Sequence, residues 1–198
     1  MLIVVEGCIG AGKTTVTEGL AKFRKSLALY EDFAANPFLK AFYVDPVANA
    51  LETEFGFLLL HFHQLRTAAS DISTSEVVAD FHLWKDLLYA DLNLTDVRIK
   101  RLFNELYEIL LTRISRPSLM IFLSASTDLI IDRIRGRQRE FEIESAAEYF
   151  AGVNAAYEKA IASYPGRKLC LDMERWDFVR HPELFADLSL LLDRELES

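Results

Sequence analysis

The run Gly7-Cys8-Ile9-Gly10-Ala11-Gly12-Lys13-Thr14 follows directly on the apolar segment Leu2 to Val5 and Glu6, and its spacing is Gly-x-x-x-x-Gly-Lys-Thr. An apolar strand, a glycine turn and then a helix-forming run from Val16 to Lys25 form the arrangement in which a chain cradles phosphate. Backbone N–H groups from Ile9 to Thr14 surround phosphate oxygens at a helix N-terminus, Lys13 reaches the outer phosphates, and Thr14 offers its hydroxyl to Mg2+. The stretch Gly7, Cys8, Ile9, Gly10, Ala11, Gly12, Lys13, Thr14 and Thr15 is therefore the expected site for the phosphates of ATP with Mg2+.

A loop of this kind needs a parallel sheet behind it, and the remaining sequence supplies one. Apolar, β-branched runs predict strands near residues 2–6, 27–31, 76–80, 119–124 and 168–172. Helical patterns separate them near 14–25, 38–44, 47–69, 84–91, 95–114, 127–135, 145–163 and 181–195, with the prolines at the seams. The fold class is α/β: a five-stranded parallel sheet flanked by helices, in one domain over residues 1–198, a length that a single core can fill.

No run of 18 apolar residues is present, so no membrane-spanning helix is expected. The first residues read as a strand and not a signal peptide, which makes a cytoplasmic location the expectation. A net charge of −8 argues against contact with a nucleic-acid polymer, so an anionic ligand must be held by local cations. The one basic cluster is Arg133, Arg135, Arg137 and Arg139. Cys8 and Cys170 are too few for a disulfide framework or a zinc site and are expected as free thiols. Cys8, inside the loop, is either a packing residue or a thiol of lowered pKa in an electropositive setting.

Ligands of such sheets bind beyond the carboxyl ends of the strands. Four of those ends carry polar groups: Glu6-Gly7, Glu31-Asp32, Asp80 with His82, and the arginines beyond Leu123. The Asn-Lys-x-Asp guanine motif of nucleotide switches is absent. A carboxylate after the second strand and arginines late in the chain point instead to phosphoryl transfer onto a small acceptor. That reaction needs a proton acceptor, a metal-holding carboxylate and cations for the migrating charge.

Taken in order, these segments resemble the deoxynucleoside kinase family, in particular its bacterial deoxyadenosine/deoxyguanosine kinase-like members, along nearly the full length. The resemblance rests on the loop from Glu6 to Thr15, on Glu31 followed by Asn36-Pro37-Phe38-Leu39 and Phe42-Tyr43-Val44-Asp45-Pro46, on Asp80 through Tyr89, and on an arginine-rich lid at about residues 136–144. It implies a P-loop kinase that transfers the ATP γ-phosphoryl group to a deoxynucleoside 5′-hydroxyl in nucleotide salvage, working as a homodimer. By that resemblance Glu31 takes the 5′-hydroxyl proton, and Lys13, Arg137 and Arg139, with Arg133 as a further candidate, act on the phosphates. The arginines also read as a solvated, basic helix end. Asp80 would hold Mg2+ together with Thr14, or cap a helix. Tyr43 and Glu142 would bind the sugar 3′-hydroxyl, although Tyr43 equally fits a core aromatic.

The chain departs from the family pattern in two regions. Where the family usually carries an acid-Arg-Ser triplet stands Asp80-Phe81-His82, so the missing cation must come from Lys85, a lid arginine or His82. In the base-reading region Glu54 stands in place of a glutamine, His61 occupies a frequently basic position, and Asp86 is retained. An ionised Glu54 only accepts hydrogen bonds, which favours a purine and guanine ahead of adenine, because guanine offers adjacent donors at N1 and N2. His61 and His63 lie on different helix faces, which discounts zinc. The aromatics Phe55, Phe57 and Phe62 read as core or subunit contacts, with one of them, or Phe33 or Phe38, stacking on the base. Two competing readings are a nucleoside monophosphate kinase, such as a thymidylate kinase-like enzyme, and a non-catalytic nucleotide-binding regulator. Residues 27–75 hold only Lys40 and Arg66 as Lys or Arg side chains, which suits a neutral nucleoside better than a phosphorylated acceptor. A regulator gains nothing from Glu31 beside the γ-phosphate.

Overall fold

The computed structural model describes residues 1–136 and 147–197. Strands β1 (Leu2–Gly7), β2 (Leu27–Leu29), β3 (Val77–Ala79), β4 (Leu119–Ser124) and β5 (Lys168–Asp172) form one sheet in the order β2-β3-β1-β4-β5. Every pairing is parallel. Parallel neighbours need long crossovers, and helices supply them. These are α1 (Lys13–Arg24), α2 (Leu39–Val44), α3 (Pro46–Thr67), α4 (Ala69–Thr74), α5 (Leu83–Asn93), α6 (Val97–Leu111), α7 (Thr127–Gly136), α8 (Ala147–Ser163) and α9 (Leu184–Glu197).

The period-two alternation of the strands divides the apolar side chains between two cores. Ile3, Val5, Ile121 and Leu123 face one way, onto Leu20 of α1, Ile130 of α7, Tyr157 of α8 and Leu188 of α9. Leu2, Val4, Met120 and Phe122 face the other, onto Leu58 and Leu65 of α3, Leu83 of α5 and Phe103 of α6. The chain winds first toward β2 and β3 and then to the opposite side of β1, so the glycine loop leaves β1 where the winding reverses. Among the described residues no helix is long and apolar enough to cross a membrane.

The five expected strands are all present, with shorter limits at two of them. β2 stops at Leu29 and not at residue 31 because the Leu29 carbonyl accepts the Asp80 N–H at 3.1 Å and the Glu31 N–H turns to the Asp80 carboxylate at 2.7 Å. The long helix starts on Pro46, where the missing N–H costs nothing, with Asp45 capping the Ala48 N–H at 3.1 Å. It ends at Thr67, and the short α4 that follows is an element the periodicity does not predict.

Candidate active site

The glycines of the loop are required by its shape. Gly10 has φ +84°, and a Cβ there would sit 2.8 Å from the Ile130 carbonyl oxygen. Gly12, at the N-cap of α1, has φ +106°. Lys13 curls over the turn, its Nζ donating to the Gly7 carbonyl at 2.8 Å and the Cys8 carbonyl at 3.3 Å. Arg133 of α7 donates from Nη1 to the Ala11 carbonyl at 2.8 Å, tying that helix to the loop. The Cys8 thiol is buried, and burial pushes its pKa up to about 11, so it is a packing residue and not an activated thiol.

A cleft opens beside the loop and brings together most of the residues singled out from sequence. Gly10, Gly12, Lys13 and Thr14 line its loop end, with Asp80 and Glu31. Tyr43, Glu54, His61 and Asp86 line the rest, together with Lys85. Thr14 Oγ1 donates to Asp80 Oδ2 at 2.8 Å, and the second oxygen of the same carboxylate accepts the Glu31 N–H, so Asp80 joins the loop to the carboxyl end of β2.

The Glu31 carboxylate is gripped on both oxygens. His61 Nε2 lies 3.0 Å from Oε1 and Lys85 Nζ 2.8 Å from Oε2. The other nitrogen of His61 faces Asp86, at 2.8 and 3.0 Å from its two oxygens. Burial works against a charge on Glu31, His61 and Lys85, and their pairing outweighs it. Lys85 and His61 hold Glu31 well below the usual carboxylate range. Asp86 and Glu31 raise His61 to about 9, so its ring is an imidazolium at neutral pH with both N–H groups donating to carboxylates. Lys85 is raised by Glu31, Glu6 and Asp86.

Farther along α3 the setting changes. Glu54 is 3% exposed, and its Oε1 accepts from Asn93 Nδ2 at 2.8 Å. Burial pushes its pKa to about 8, so Glu54 is neutral at pH 7 and not the ionised acceptor expected from sequence. Asn93 also approaches the Tyr149 hydroxyl at 3.4 Å. Sequence reasoning missed both partners. Asn93 follows Asp86 by two helical turns, a spacing that signals the shared face, whereas nothing local marks Tyr149. Of the aromatics, Phe57 stacks on His61 and lines the cleft, Phe55 packs edge-on against Phe103, and Phe62 lies under the Arg66 guanidinium. Phe33 lines the cleft, while Phe38 is exposed. A second hollow, also unforeseen, lies at the loop between Gly12, Thr15, Arg133, Trp176 and Phe178.

Residues 3–193 match the family model described as deoxynucleoside kinase. The chain belongs to the deoxynucleoside kinase family. A deoxyguanosine kinase of Bacillus subtilis is 29% identical over 161 residues, covering 80% of this chain and 77% of its own. A deoxyadenosine kinase of Lactobacillus acidophilus is 27% identical over 212 residues, covering 98% and 96%. Among solved structures, deoxyadenosine kinase from M. mycoides with dCMP and a flexible dCDP bound has a TM-score of 0.82 at 24% identity, covering 94% of this chain and 97% of that one, a match of fold. This deoxynucleoside kinase is thus a phosphotransferase on a P-loop α/β scaffold.

The departures of this kinase from the family pattern resolve in space. Phe81, where an arginine is usual, is fully buried and packs on the His61 ring. His82 caps α5 in place of Asp80, its Nδ1 accepting the Trp84 N–H at 3.2 Å, and burial lowers its pKa to about 3. A neutral His82 cannot stand in for the missing cation. Lys85, one turn later and 2.8 Å from Glu31, brings a positive charge into the cleft. Arg137, Arg139, Glu142 and nearly all of the expected lid lie outside the described residues.

Proposed function

We propose that this kinase transfers the γ-phosphoryl group of ATP to the 5′-hydroxyl of a purine deoxynucleoside, in cytoplasmic deoxynucleoside salvage. The observation that carries the reading is the Asp80 bridge, which ties the loop's Thr14 to the backbone of Glu31 and supports a phosphate cradle and a proton acceptor sharing one cleft. Glu31 accepts the 5′-hydroxyl proton as the new O–P bond forms and the bond from the γ-phosphorus to the β,γ-bridging oxygen breaks. Lys13 withdraws from the Gly7 and Cys8 carbonyls to the outer phosphates, and Arg133, Arg137 and Arg139 flank them.

The Thr14 hydroxyl and the Asp80 carboxylate, 2.8 Å apart, are hard oxygen donors that fit Mg2+, which otherwise takes phosphate oxygens and waters. Mg2+ held there would neutralise phosphate charge during transfer. The hollow beside Arg133, with Trp176 and Phe178, suits the adenine of ATP. Tyr43 and Glu142 hold the sugar 3′-hydroxyl, and Glu54 stands at the base end of the cleft, while His61, held between Glu31 and Asp86, lies beside the reacting end and positions Glu31. The relatives named as deoxyguanosine and deoxyadenosine kinases support a purine. Val47, Leu51 and Leu59 on α3 and Leu102 and Ile109 on α6 are exposed apolar side chains, which supports pairing of two subunits through these helices.

The test is ATP- and Mg2+-dependent phosphorylation of deoxyguanosine, deoxyadenosine, deoxycytidine and thymidine, with deoxyguanylate and thymidylate as further acceptors and Glu31→Gln as control. Transfer to purine deoxynucleosides that is lost in Glu31→Gln is the expected result. Transfer only to a monophosphate, or nucleotide binding without transfer, overturns the reading.

A further inference from the structure

We propose that Glu54 meets the substrate as a neutral carboxylic acid whose O–H donates to the base, so that this kinase reads adenine through a proton that guanine does not require. The proposal rests on the function argued above and identifies how the same cleft tells its purines apart.

The geometry begins with distance along α3. His61 touches Glu31, and Glu54 lies two turns earlier on the same face, about 10 Å away along the helix. That separation matches the reach of a nucleoside from its 5′-oxygen to its base. Glu54 therefore stands at the end of the cleft opposite the reacting oxygen, and it lines that end.

The charged and titratable neighbours of Glu54 are His61 on its own helix, Asp86 on α5 and Tyr149 on α8. None of them pairs directly with the Glu54 carboxyl, and the His61 charge favours its ionised form only from a distance. Both nitrogens of His61 are spent on Asp86 and Glu31, Asp86 is a second acid, and the Tyr149 phenol carries no positive charge. Among the described residues, the one hydrogen bond to the Glu54 carboxyl comes from the Asn93 amide, on Oε1. Among the described residues no cation pairs directly with the Glu54 carboxyl, and burial, with Asp86 adding to it, outweighs the Asn93 hydrogen bond and the His61 charge and raises its pKa to about 8. Because Asn93 donates to Oε1, that atom is the carbonyl oxygen and the proton sits on Oε2.

Adenine presents an amino donor beside a ring-nitrogen acceptor. A neutral acid answers both, its O–H donating to the ring nitrogen and its carbonyl accepting from the amino group. Deprotonation removes the donor and sets two lone pairs against each other. Guanine pairs with either form: with the acid through O6 and N1–H, and with the carboxylate through N1–H and the N2 amino group. Loss of the Glu54 proton therefore penalises deoxyadenosine and spares deoxyguanosine.

The experiment measures kcat/KM for both nucleosides in the wild type and Glu54→Gln at pH values on either side of the Glu54 pKa of about 8. The ratio cancels the titration of Glu31, ATP and every other group common to both reactions. In the wild type the deoxyadenosine/deoxyguanosine ratio should fall by about tenfold per pH unit above the Glu54 pKa. In Glu54→Gln, whose amide keeps one donor and one acceptor at every pH, the ratio should stay flat. A wild-type ratio that does not move with pH, or one that falls equally in Glu54→Gln, overturns the proposal. Infrared difference spectra of the free protein, wild type against Glu54→Gln, provide a readout independent of turnover: the carbonyl stretch of an un-ionised acid should be present at pH 7, and its absence overturns the proposal. If no nucleoside is phosphorylated, the proposed function falls. The base contact is then judged by calorimetric binding of deoxyadenosine over the same pH range, where no binding or pH-independent binding overturns it.

Discussion

Lys85 Nζ and Glu31 Oε2 lie 2.8 Å apart in the wall of the cleft, with Lys85 buried on α5 and Glu31 just beyond the end of β2. Since His61 holds the other Glu31 oxygen, the free enzyme keeps this carboxylate ionised and doubly paired. In the proposed reaction a nucleoside hydroxyl reaching Glu31 donates to a remaining lone pair beside these two cations. Lys85, on a flexible stem beside the phosphate loop, is the one free to swing toward phosphate.

Lys85→Met should therefore act on catalysis and on its pH dependence together. Removing the cation raises the Glu31 pKa, so the acid limb of the kcat/KM profile moves to higher pH. Loss of positive charge at the transferring phosphoryl group should lower kcat by about a hundredfold. A pH–rate profile of Lys85→Met beside Lys85→Arg, which keeps the charge and should restore part of kcat, checks both effects.

His61 predicts a pH dependence of stability. Its pKa rises from 6.5 to about 9 on folding, because Asp86 and Glu31 outweigh burial. The stability this contributes is fully present below pH 6.5 and is lost as pH rises through about 9. Its size is on the order of 3 kcal/mol. Thermal midpoints of the wild type should fall across that window, and His61→Gln should start lower and stay flatter. Glu54→Gln should instead lessen the decline between pH 4.5 and about 8, where Glu54 keeps its proton in the folded state; Glu6, which burial raises to about 7, leaves part of that decline in place.

Gly10→Ala should disable the loop. The new methyl would face the Ile130 carbonyl oxygen at 2.8 Å on a backbone held at φ +84°, so either the loop or α7 must shift. A stability loss of about 2 kcal/mol and a weakening of ATP binding by more than tenfold are expected. Calorimetric ATP binding and thermal unfolding measure them separately.

Arg24→Leu should cost stability and leave chemistry intact. Its guanidinium pairs with both oxygens of Glu76, at 2.7 and 2.8 Å, and reaches Ser189 and Asp193 at 2.7 and 2.8 Å, joining the end of α1 to the entry of β3 and to α9. Glu76 also accepts from the Ser26 hydroxyl. Loss of this partly buried network should lower stability by about 2 kcal/mol, with kcat unchanged at temperatures where the variant remains folded. A substantially altered kcat at such temperatures overturns the assignment.

Much of the fold is legible in the sequence because it is written in short-range patterns. The loop spacing from Gly7 to Thr14, the apolar runs at Leu2–Val5 and Leu119–Leu123, and the prolines between elements each act over a few residues. The end of β2 is not legible in this way, because a side chain 49 positions away, Asp80, draws the Glu31 N–H out of the ladder. The cleft divides similarly. Glu31, Asp80, His61 and Asp86 announce themselves by type and order, but which cation meets Glu31 does not, since Lys85 reaches it only when α5 packs beside the end of β2.

By itself, the sequence determined a phosphate loop on a parallel sheet and a set of carboxylates, cations and aromatics to surround it. Only the tertiary structure decided their protonation. Glu54 and Glu31 are the same residue type, yet one is neutral and the other strongly ionised, because one is buried against an amide and the other between an ammonium and an imidazolium. His82 and His61 part in the same way, the first buried without a carboxylate at its ring and the second between two. A charge on a buried group depends on what surrounds it in three dimensions, and those neighbours come from elements far apart in the chain.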